Sequence, residues 1–487
     1  MTNNVTPSGE LVLEQLGINP HNLRADFPTR EQRLQYRAVV QWLTDYKPKL
    51  DATNLEKVKG YLEAFYHLCQ VEDWEEASQI IATRLNTPTN EQLHNQLHTW
   101  GYYDEQAGLY SRLLNQLSSN WNAIFFNGLG NTSAALGEYA RAIGYYQKTL
   151  AVAKEIQDFQ MEEGALGNLG LVFHSLGDYS KAIEYYQETL AIAQEIQDRQ
   201  GEGNALSSLG TAYDALGDYN KAIEYYQKTL AIAQEIQDRR MEGTALGNLG
   251  LVSQVQGDYI KGIEYQKQSL MISQEVQDRS AEGQSLGNLG NAYYALRYYP
   301  EAIDYYHQRL LIAREIQDQS GEEAVLSSLG LVEHAQGNYA KAIEYHQHSL
   351  TIARKLCDHP GKGQSLGHLA SVYHSQGDYA KAIEYYLQSL AIAQELCEPL
   401  GEEAALQNLG TAYFSMKEYG KAIDCYHQSL AIARRIKARQ IEEQILINLG
   451  KVYCTLEDYE QAIAYNQQHL SLVQKTLPQM KRAYSSF

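Results

Sequence analysis

The sequence is short of the residues that would mark it as disulfide-bonded, metal-binding or membrane-spanning. Its five cysteines (Cys69, Cys357, Cys397, Cys425 and Cys454) are odd in number and scattered over 487 residues. None sits in a CxxC or Cys/His spacing that would build a metal site. There are only 9 Pro, 8 Phe and 4 Trp. No stretch of about 18 apolar residues occurs, so no membrane span is expected. The opening MTNNVTPSGELVLEQLG lacks a basic segment followed by an apolar run, so it does not read as a signal peptide. A cytoplasmic protein is expected. Positive charge is also in deficit, with 40 Lys and Arg against 59 Asp and Glu, a net −19. An acidic surface repels phosphate backbones, which argues against nucleic acid as a partner. No phosphate-binding GxxxxGK[ST] loop, nucleophile elbow of the Gly-x-Ser-x-Gly kind or HExxH helix is expected, so catalysis has no candidate residues. The expectation is a non-enzyme that needs no cofactor and no metal.

What the chain has in excess is tyrosine, 38 of them, and a repeat that gives them fixed places. Leu-Gly recurs at Leu129-Gly130, Leu169-Gly170, Leu209-Gly210, Leu249-Gly250, Leu289-Gly290 and Leu329-Gly330. It continues as Leu369-Ala370, Leu409-Gly410 and Leu449-Gly450. The period is 40 residues, nine times, without an insertion. Such self-similarity indicates stacked supersecondary units, none of which buries its apolar face alone.

One unit shows how. Leu206, Leu209, Ala212 and Tyr213 form the apolar stripe of a first helix, A. Gly210 lies inside that helix, where glycine costs about 1 kcal/mol relative to alanine. Its recurrence implies that a missing side chain lets the second helix, B, approach closely. Gly217 suits a left-handed helix end, and Asp218 suits the N-cap of helix B. Tyr219, Ala222, Ile223 and Tyr226 then repeat the helical spacing, with Leu230, Ile232 and Ala233 carrying the stripe on. Glu162, Glu202, Glu242 and Glu282 stand in first turns, where a negative charge is favourable. Cys357 and Cys397 occupy one slot of neighbouring units, too far apart to bridge, and are expected as reduced thiols facing the packing.

Leu206, Leu209, Gly210, Tyr213, Ala222 and Tyr226 fit the pattern apolar–x₂–Leu-Gly–x₂–Tyr followed by Ala–x₃–Tyr. By it the chain resembles the tetratricopeptide repeat (TPR) family, over about residues 121–476. The 40-residue unit is similar to that of peptide-binding spindle-orientation adaptors and of bacterial TPR signalling proteins. The resemblance implies an all-α fold, a right-handed superhelical solenoid of antiparallel helix pairs. Nine repeats are assigned to 119–478. Two degenerate helix pairs are assigned to 51–118, where Trp74, Ala77 and Ile81 fill helix B slots and Gln106 stands where Ala is expected. Residues 1–50 are expected to form a helical cap, and 479–487 a flexible tail.

In such arrays the A helices line a concave groove that holds an extended peptide or a partner helix. The groove slots are the second, fifth, sixth, ninth, twelfth and thirteenth positions of helix A, with Leu209 at the seventh. Of the 54 residues in these slots only Asp214 and Lys451 carry full charge. No Lys or Arg occupies the fifth or sixth slot, so a cationic clamp for a chain terminus is not expected. Asn168, Asn248, Asn288, Asn408 and Asn448 share the sixth slot, and Asn131 and Asn291 the ninth. The run around Asn288 and Asn291 resembles the adaptors, whose asparagines bond a bound peptide's backbone. An amide offers donor and acceptor together, and equally it can brace neighbouring helices. Leu171, Leu251 and Leu331 recur at the ninth slot as apolar spots for a partner, or packed on their neighbours. Ser133, Ser253 and Glu333 interrupt an aromatic eleventh slot, leaving looser packing there, with Glu333 expected to meet solvent or a partner's charge. His334, His368 and His374 fall on groove slots as solvated or packed side chains rather than metal ligands.

These features predict an interaction scaffold that binds a partner peptide or helix by backbone hydrogen bonds and apolar anchors. The alternatives are a regulatory or sensor arm acting with a separate signalling NTPase, or homo-assembly through end repeats. The scaffold itself is expected as a monomer or weak homo-oligomer.

Overall fold

The computed structural model describes residues 5–49 and 51–484, with side chains as far as Gln474. Among these residues the only β pairing is an isolated bridge between Arg84 and Gln92. Seven helices come first: α1 (Gly9–Gln15), α2 (Leu23–Asp26), α3 (Arg30–Thr44), α4 (Asn54–Gln70), α5 (Trp74–Ala82), α6 (Leu93–Thr99) and α7 (Tyr103–Leu113). Alternating A and B helices follow as antiparallel pairs. They are α8 (Ser119–Ala135) with α9 (Tyr139–Ile156), α10 (Phe159–Ser175) with α11 (Tyr179–Glu195), and α12 (Arg199–Ala215) with α13 (Tyr219–Ile236). Next come α14 (Arg239–Val255) with α15 (Tyr259–Glu275), α16 (Arg279–Ala295) with α17 (Tyr299–Glu315), and α18 (Gln319–Ala335) with α19 (Tyr339–Leu356). The last are α20 (His359–Gln376) with α21 (Tyr379–Glu395), α22 (Pro399–Ser415) with α23 (Tyr419–Arg435), and α24 (Arg439–Thr455) with α25 (Tyr459–Tyr484). The chain forms two compact units, Met1–Met241 and Glu242–Phe487.

Within a pair the expected contacts are present. Leu206, Leu209 and Ala212 are buried, and Gly210 lies directly beneath Tyr226 of helix B. A methyl group built on Gly210 would stand 2.5 Å from the Tyr226 ring. The same holds for Gly130 under Tyr146, Gly170 under Tyr186 and Gly290 under Tyr306. The glycine's loss of helix propensity is thus offset by burial of a tyrosine. A second ring pair closes the hairpin: Tyr213 and Tyr225 stack with centroids 5.4 Å apart, and Lys221 Nζ sits 4.6 Å above Tyr213. Gly217 has φ +76°, and Asp218 Oδ1 accepts from the Lys221 amide. At the other end of helix B, where glycine is absent, Gln157, Gln197, Gln237, Gln277 and Gln317 take the left-handed conformation instead.

Two local expectations are corrected. Cys357 and Cys397 do not face the packing: both are exposed, because their slot is this left-handed helix end, φ 55° and 53°. Glu333 does not reach solvent. It is buried, accepting from Asn338 Nδ2 at 2.7 Å and facing Lys341 Nζ at 3.5 Å. Residues 479–484 continue α25 past Pro478, since a proline removes one rung of the helical ladder without having to end it; the rest of the expected tail, 485–487, lies outside the described residues.

Among the described 40-residue pairs neighbouring A helices approach one another more closely than neighbouring B helices do, whereas in the degenerate stretch α5 meets α7, both in helix B positions. In the first unit α8 meets α10, and α10 meets α12. In the second α16 meets α18, α18 meets α20, and α20 meets α22. In each unit the regular pairs therefore come closest together along their A helices, the helices that carry the slots named above.

Candidate partner-binding face

The glycines and small residues of helix A leave a wall of amide, hydroxyl and leucine groups in each unit. In the first unit Asn168 Nδ2 donates to Asn127 Oδ1 of the preceding pair at 3.0 Å. Asn131 Oδ1 accepts from Tyr146 Oη at 2.7 Å, and Leu171 is 59% exposed. In the second unit Asn291 Oδ1 accepts from Tyr306 Oη at 2.6 Å. Leu251 is 40% exposed and Leu331 is half-buried. Asn448 Oδ1 accepts from Gln444 Nε2 at 3.3 Å. Asn248 and Asn288 are half-buried and Asn408 is exposed. Their amides bond to none of the described residues.

The predicted residues therefore separate into two sets. Asn131, Asn168, Asn291 and Asn448 spend hydrogen-bonding capacity inside the fold. Asn248, Asn288 and Asn408 keep all of theirs. The ninth slot serves the tyrosine of helix B wherever it is Asn, Thr or Ser: Thr211 meets Tyr226, Ser371 meets Tyr386, and Thr411 meets Tyr426 at 3.0–3.3 Å.

Two hollows in the second unit interrupt the wall at equivalent places, 80 residues apart in sequence. One, of about 230 Å³ among α16, α17 and α18, is lined by Arg279, Gly283, Gln284, Arg309, Asp318 and Gly321. Arg309 belongs to helix B, and its guanidinium passes over Gly287, the fifth slot of α16. A Cβ there would stand 2.3 Å from Nη1. Burial pulls the Arg309 pKa below its usual value, and Asp318 only partly opposes this. Among the described residues Arg309 has no ion pair within 4 Å and no hydrogen-bond partner. Arg279, by contrast, is bound to Glu282 and Glu315.

The other hollow, of about 560 Å³ among α20, α21 and α22, carries Glu323, Asp358 and Glu398 with His368, Ser389 and Asn408, and no Lys or Arg. Glu323 accepts from Ser349 Oγ at 2.9 Å, and its carboxyl is pushed up by burial. The His368 ring lies 5.1 Å from that of His346, tilted by 32° to it, and His346 is fully buried. Neither ring nitrogen of His346 has a partner, nor has Nε2 of His368. Burial holds His346 down to about 3 and His368 to about 4, so both are neutral at pH 7. His334 and His374 bond to Ser375 and Ser415 of the next A helix. Among the described residues no group of three or more His, Cys, Asp or Glu could hold a metal ion.

The sequence string Gly-x-Ser-x-Gly does occur, at 283–287 and 363–367. It lies inside helices α16 and α20, with Ser285 and Ser365 buried and bonded to Ser269 and Ser349. A buried helical serine is no nucleophile elbow, which needs a strand-to-helix turn.

The helix pairs and their closely set A helices define an all-α helical-repeat binding protein. A tetratricopeptide repeat model matches residues 162–235, 242–315, 322–395 and 402–475, and a second matches 127–195 and 288–355. The chain belongs to the tetratricopeptide repeat family. No curated protein matches it in sequence. Among solved structures it is similar to a signal-transduction ATPase with numerous domains and a tetratricopeptide repeat sensor from Pyrococcus horikoshii. That match is 14% identical with TM-score 0.52, over 91% of this chain and 75% of the other. It also resembles aspartyl phosphate phosphatase F from Bacillus subtilis (17%, TM-score 0.49, 80% and 94%). The apo quorum sensor NprR from B. thuringiensis is a further match (12%, TM-score 0.47, 86% and 100%). At these identities the likeness extends to the fold alone. Among the described residues no helix is long and apolar enough to cross a membrane.

Proposed function

We propose that this protein is an interaction scaffold whose A-helix face captures an extended segment of a partner protein in the cytoplasm. The observation that carries the reading is the set of uncommitted amides, Asn248, Asn288 and Asn408, on the A helices of one stack. The half-buried amides of Asn248 and Asn288 are poorly solvated, and none of the three loses anything of the fold by bonding a peptide main chain. The exposed leucines offer apolar contact at the ninth slot.

The test is selection of a displayed library of random twelve-residue peptides on the intact protein. The recovered peptides are then bound to the triple variant Asn248→Ala, Asn288→Ala, Asn408→Ala. Affinity should fall at least about tenfold, by loss of two or more hydrogen bonds, with thermal unfolding unchanged. Failure to recover any binder, or full binding by the triple variant, would remove the reading.

A further inference from the structure

We propose that Arg309 is an anion-recognition residue of the A-helix face, taking the carboxylate of an Asp or Glu side chain from the captured segment. The inference rests on the scaffold reading and adds the chemistry of the partner.

The position is an exception within the array. In the last pair the equivalent residue is His469; in the other seven it is Thr149, Thr189, Thr229, Ser269, Ser349, Ser389 and Ser429. Each of these seven gives its hydroxyl to an acceptor in its own pair. The slot needs only a short side chain and supplies its own acceptor. Arg309 puts a permanent charge there, and Gly287 leaves space for its guanidinium to emerge on the face that helix A otherwise presents. A half-buried guanidinium is costly unless paired, and the fold leaves it unpaired although acidic residues are abundant. The field of Asp318 reaches it without closing an ion pair, and other carboxylates of these helices are committed elsewhere. Asp318 caps α18 by accepting from the Gly321 amide at 2.8 Å, Glu282 and Glu315 hold Arg279, and Glu322 holds Arg314. A carboxylate entering the 230 Å³ hollow would meet the flat donor edge of Arg309, which suits bidentate pairing. Asn288, the uncommitted amide, follows Gly287 in sequence, so a main chain held there would pass close to the hollow. An ordered partner would thus be read at one point by charge along a face that is otherwise neutral.

The same peptide selection provides the first test, run on the wild type and on Arg309→Ser, the residue type the array itself uses. Wild-type binders should be enriched in Asp or Glu at one position. Arg309→Ser should still fold and still bind, but prefer those acidic peptides at least about tenfold less. Binders without acidic preference, or with a preference that survives Arg309→Ser, would overturn the inference and leave the scaffold reading standing. The second test reads the Arg309 Nε–H resonance, assigned by its loss in Arg309→Ser. N-acetylglutamate α-amide, N-acetylalanine and inorganic phosphate are titrated separately. A saturable shift with the side-chain carboxylate, larger than with the other two, is the expected result. No saturable shift overturns the inference, and a stronger response to N-acetylalanine or phosphate assigns the hollow to a chain terminus or a phosphate instead.

Discussion

Helix pairs α12–α13 and α18–α19 share a backbone plan and fill one central place differently. In the first, Tyr226 covers Gly210 and finds a partner for its hydroxyl in Thr211. In the second, His346 covers Gly330, the ninth slot is Leu331, and both imidazole nitrogens are left without partners. The pair α14–α15 lies between: Gln266 covers Gly250 beside Leu251, and its Nε2 reaches the Gly247 carbonyl while its Oε1 has no partner. A polar tip buried against helix A is satisfied when the ninth slot is Asn, Thr or Ser, and is stranded in these two pairs, where it is Leu. In these two pairs leucine at the ninth slot and a stranded polar group in the core are therefore two sides of one substitution. A residue that serves an outer surface can cost the interior a hydrogen bond.

The largest way to break the comparison is Gly210→Val. Ala370 faces Tyr386 without disturbing that pair, so one methyl is tolerated; a branched chain under Tyr226 should cost about 3 kcal/mol. Urea unfolding, with hydrogen exchange of α12 and α13, measures it.

Acid should separate the two pairs next. His346 faces His368 and is influenced by His334, all three with depressed values. A histidine whose folded pKa lies below its unfolded value of about 6.5 stabilises the fold fully above that value and loses the contribution as pH falls toward the folded one. Stability around α19 and α20 should drop by about 2 kcal/mol between pH 6.5 and 5. Hydrogen exchange corrected for intrinsic rates should show α12 and α13 unaffected; equal loss in both pairs would contradict this.

Leu331→Thr with His346→Tyr converts the second pair into the first. It should gain about 1–2 kcal/mol by ending the burial of unpartnered nitrogens and should abolish His346's part in the acid response. The smallest effect expected is from Tyr306→Phe, which removes the 2.6 Å bond to Asn291 and should cost about 1 kcal/mol. The same measurements apply. No loss would mean that water replaces the asparagine as partner.

Much of this architecture is legible in one dimension because it is periodic. The glycine-tyrosine register, the aspartate caps and the inward apolar stripes repeat at fixed spacing, and the family follows from them. The degenerate stretch is less legible. Gln106, standing where alanine is expected, is not a defect but the centre of a buried network, donating to the His94 carbonyl at 2.8 Å and accepting from Thr132 Oγ1 at 2.8 Å. The candidate site was visible only in part. Which asparagines are committed depends on residues 4, 15 or 41 positions away, within the helix, across a hairpin or in the preceding pair. Arg309 escapes a search of helix A slots because it arrives from helix B through the gap at Gly287. The signal that could have found it was in the sequence: an arginine in a column that is threonine or serine in every other pair but the last, where it is His469.

The junctions between pairs carry one more implication, for how such a chain changes over generations. Asp158, Asp198, Asp278 and Asp318 each cap the following A helix with the same side-chain bond, and a left-handed glutamine stands before each. Where every joint is alike, deleting or duplicating 40 residues between two joints restores a joint of the same kind. The number of repeats can then drift by unequal exchange without any new packing having to be invented, and the reach of the protein becomes a heritable quantity adjustable in whole steps.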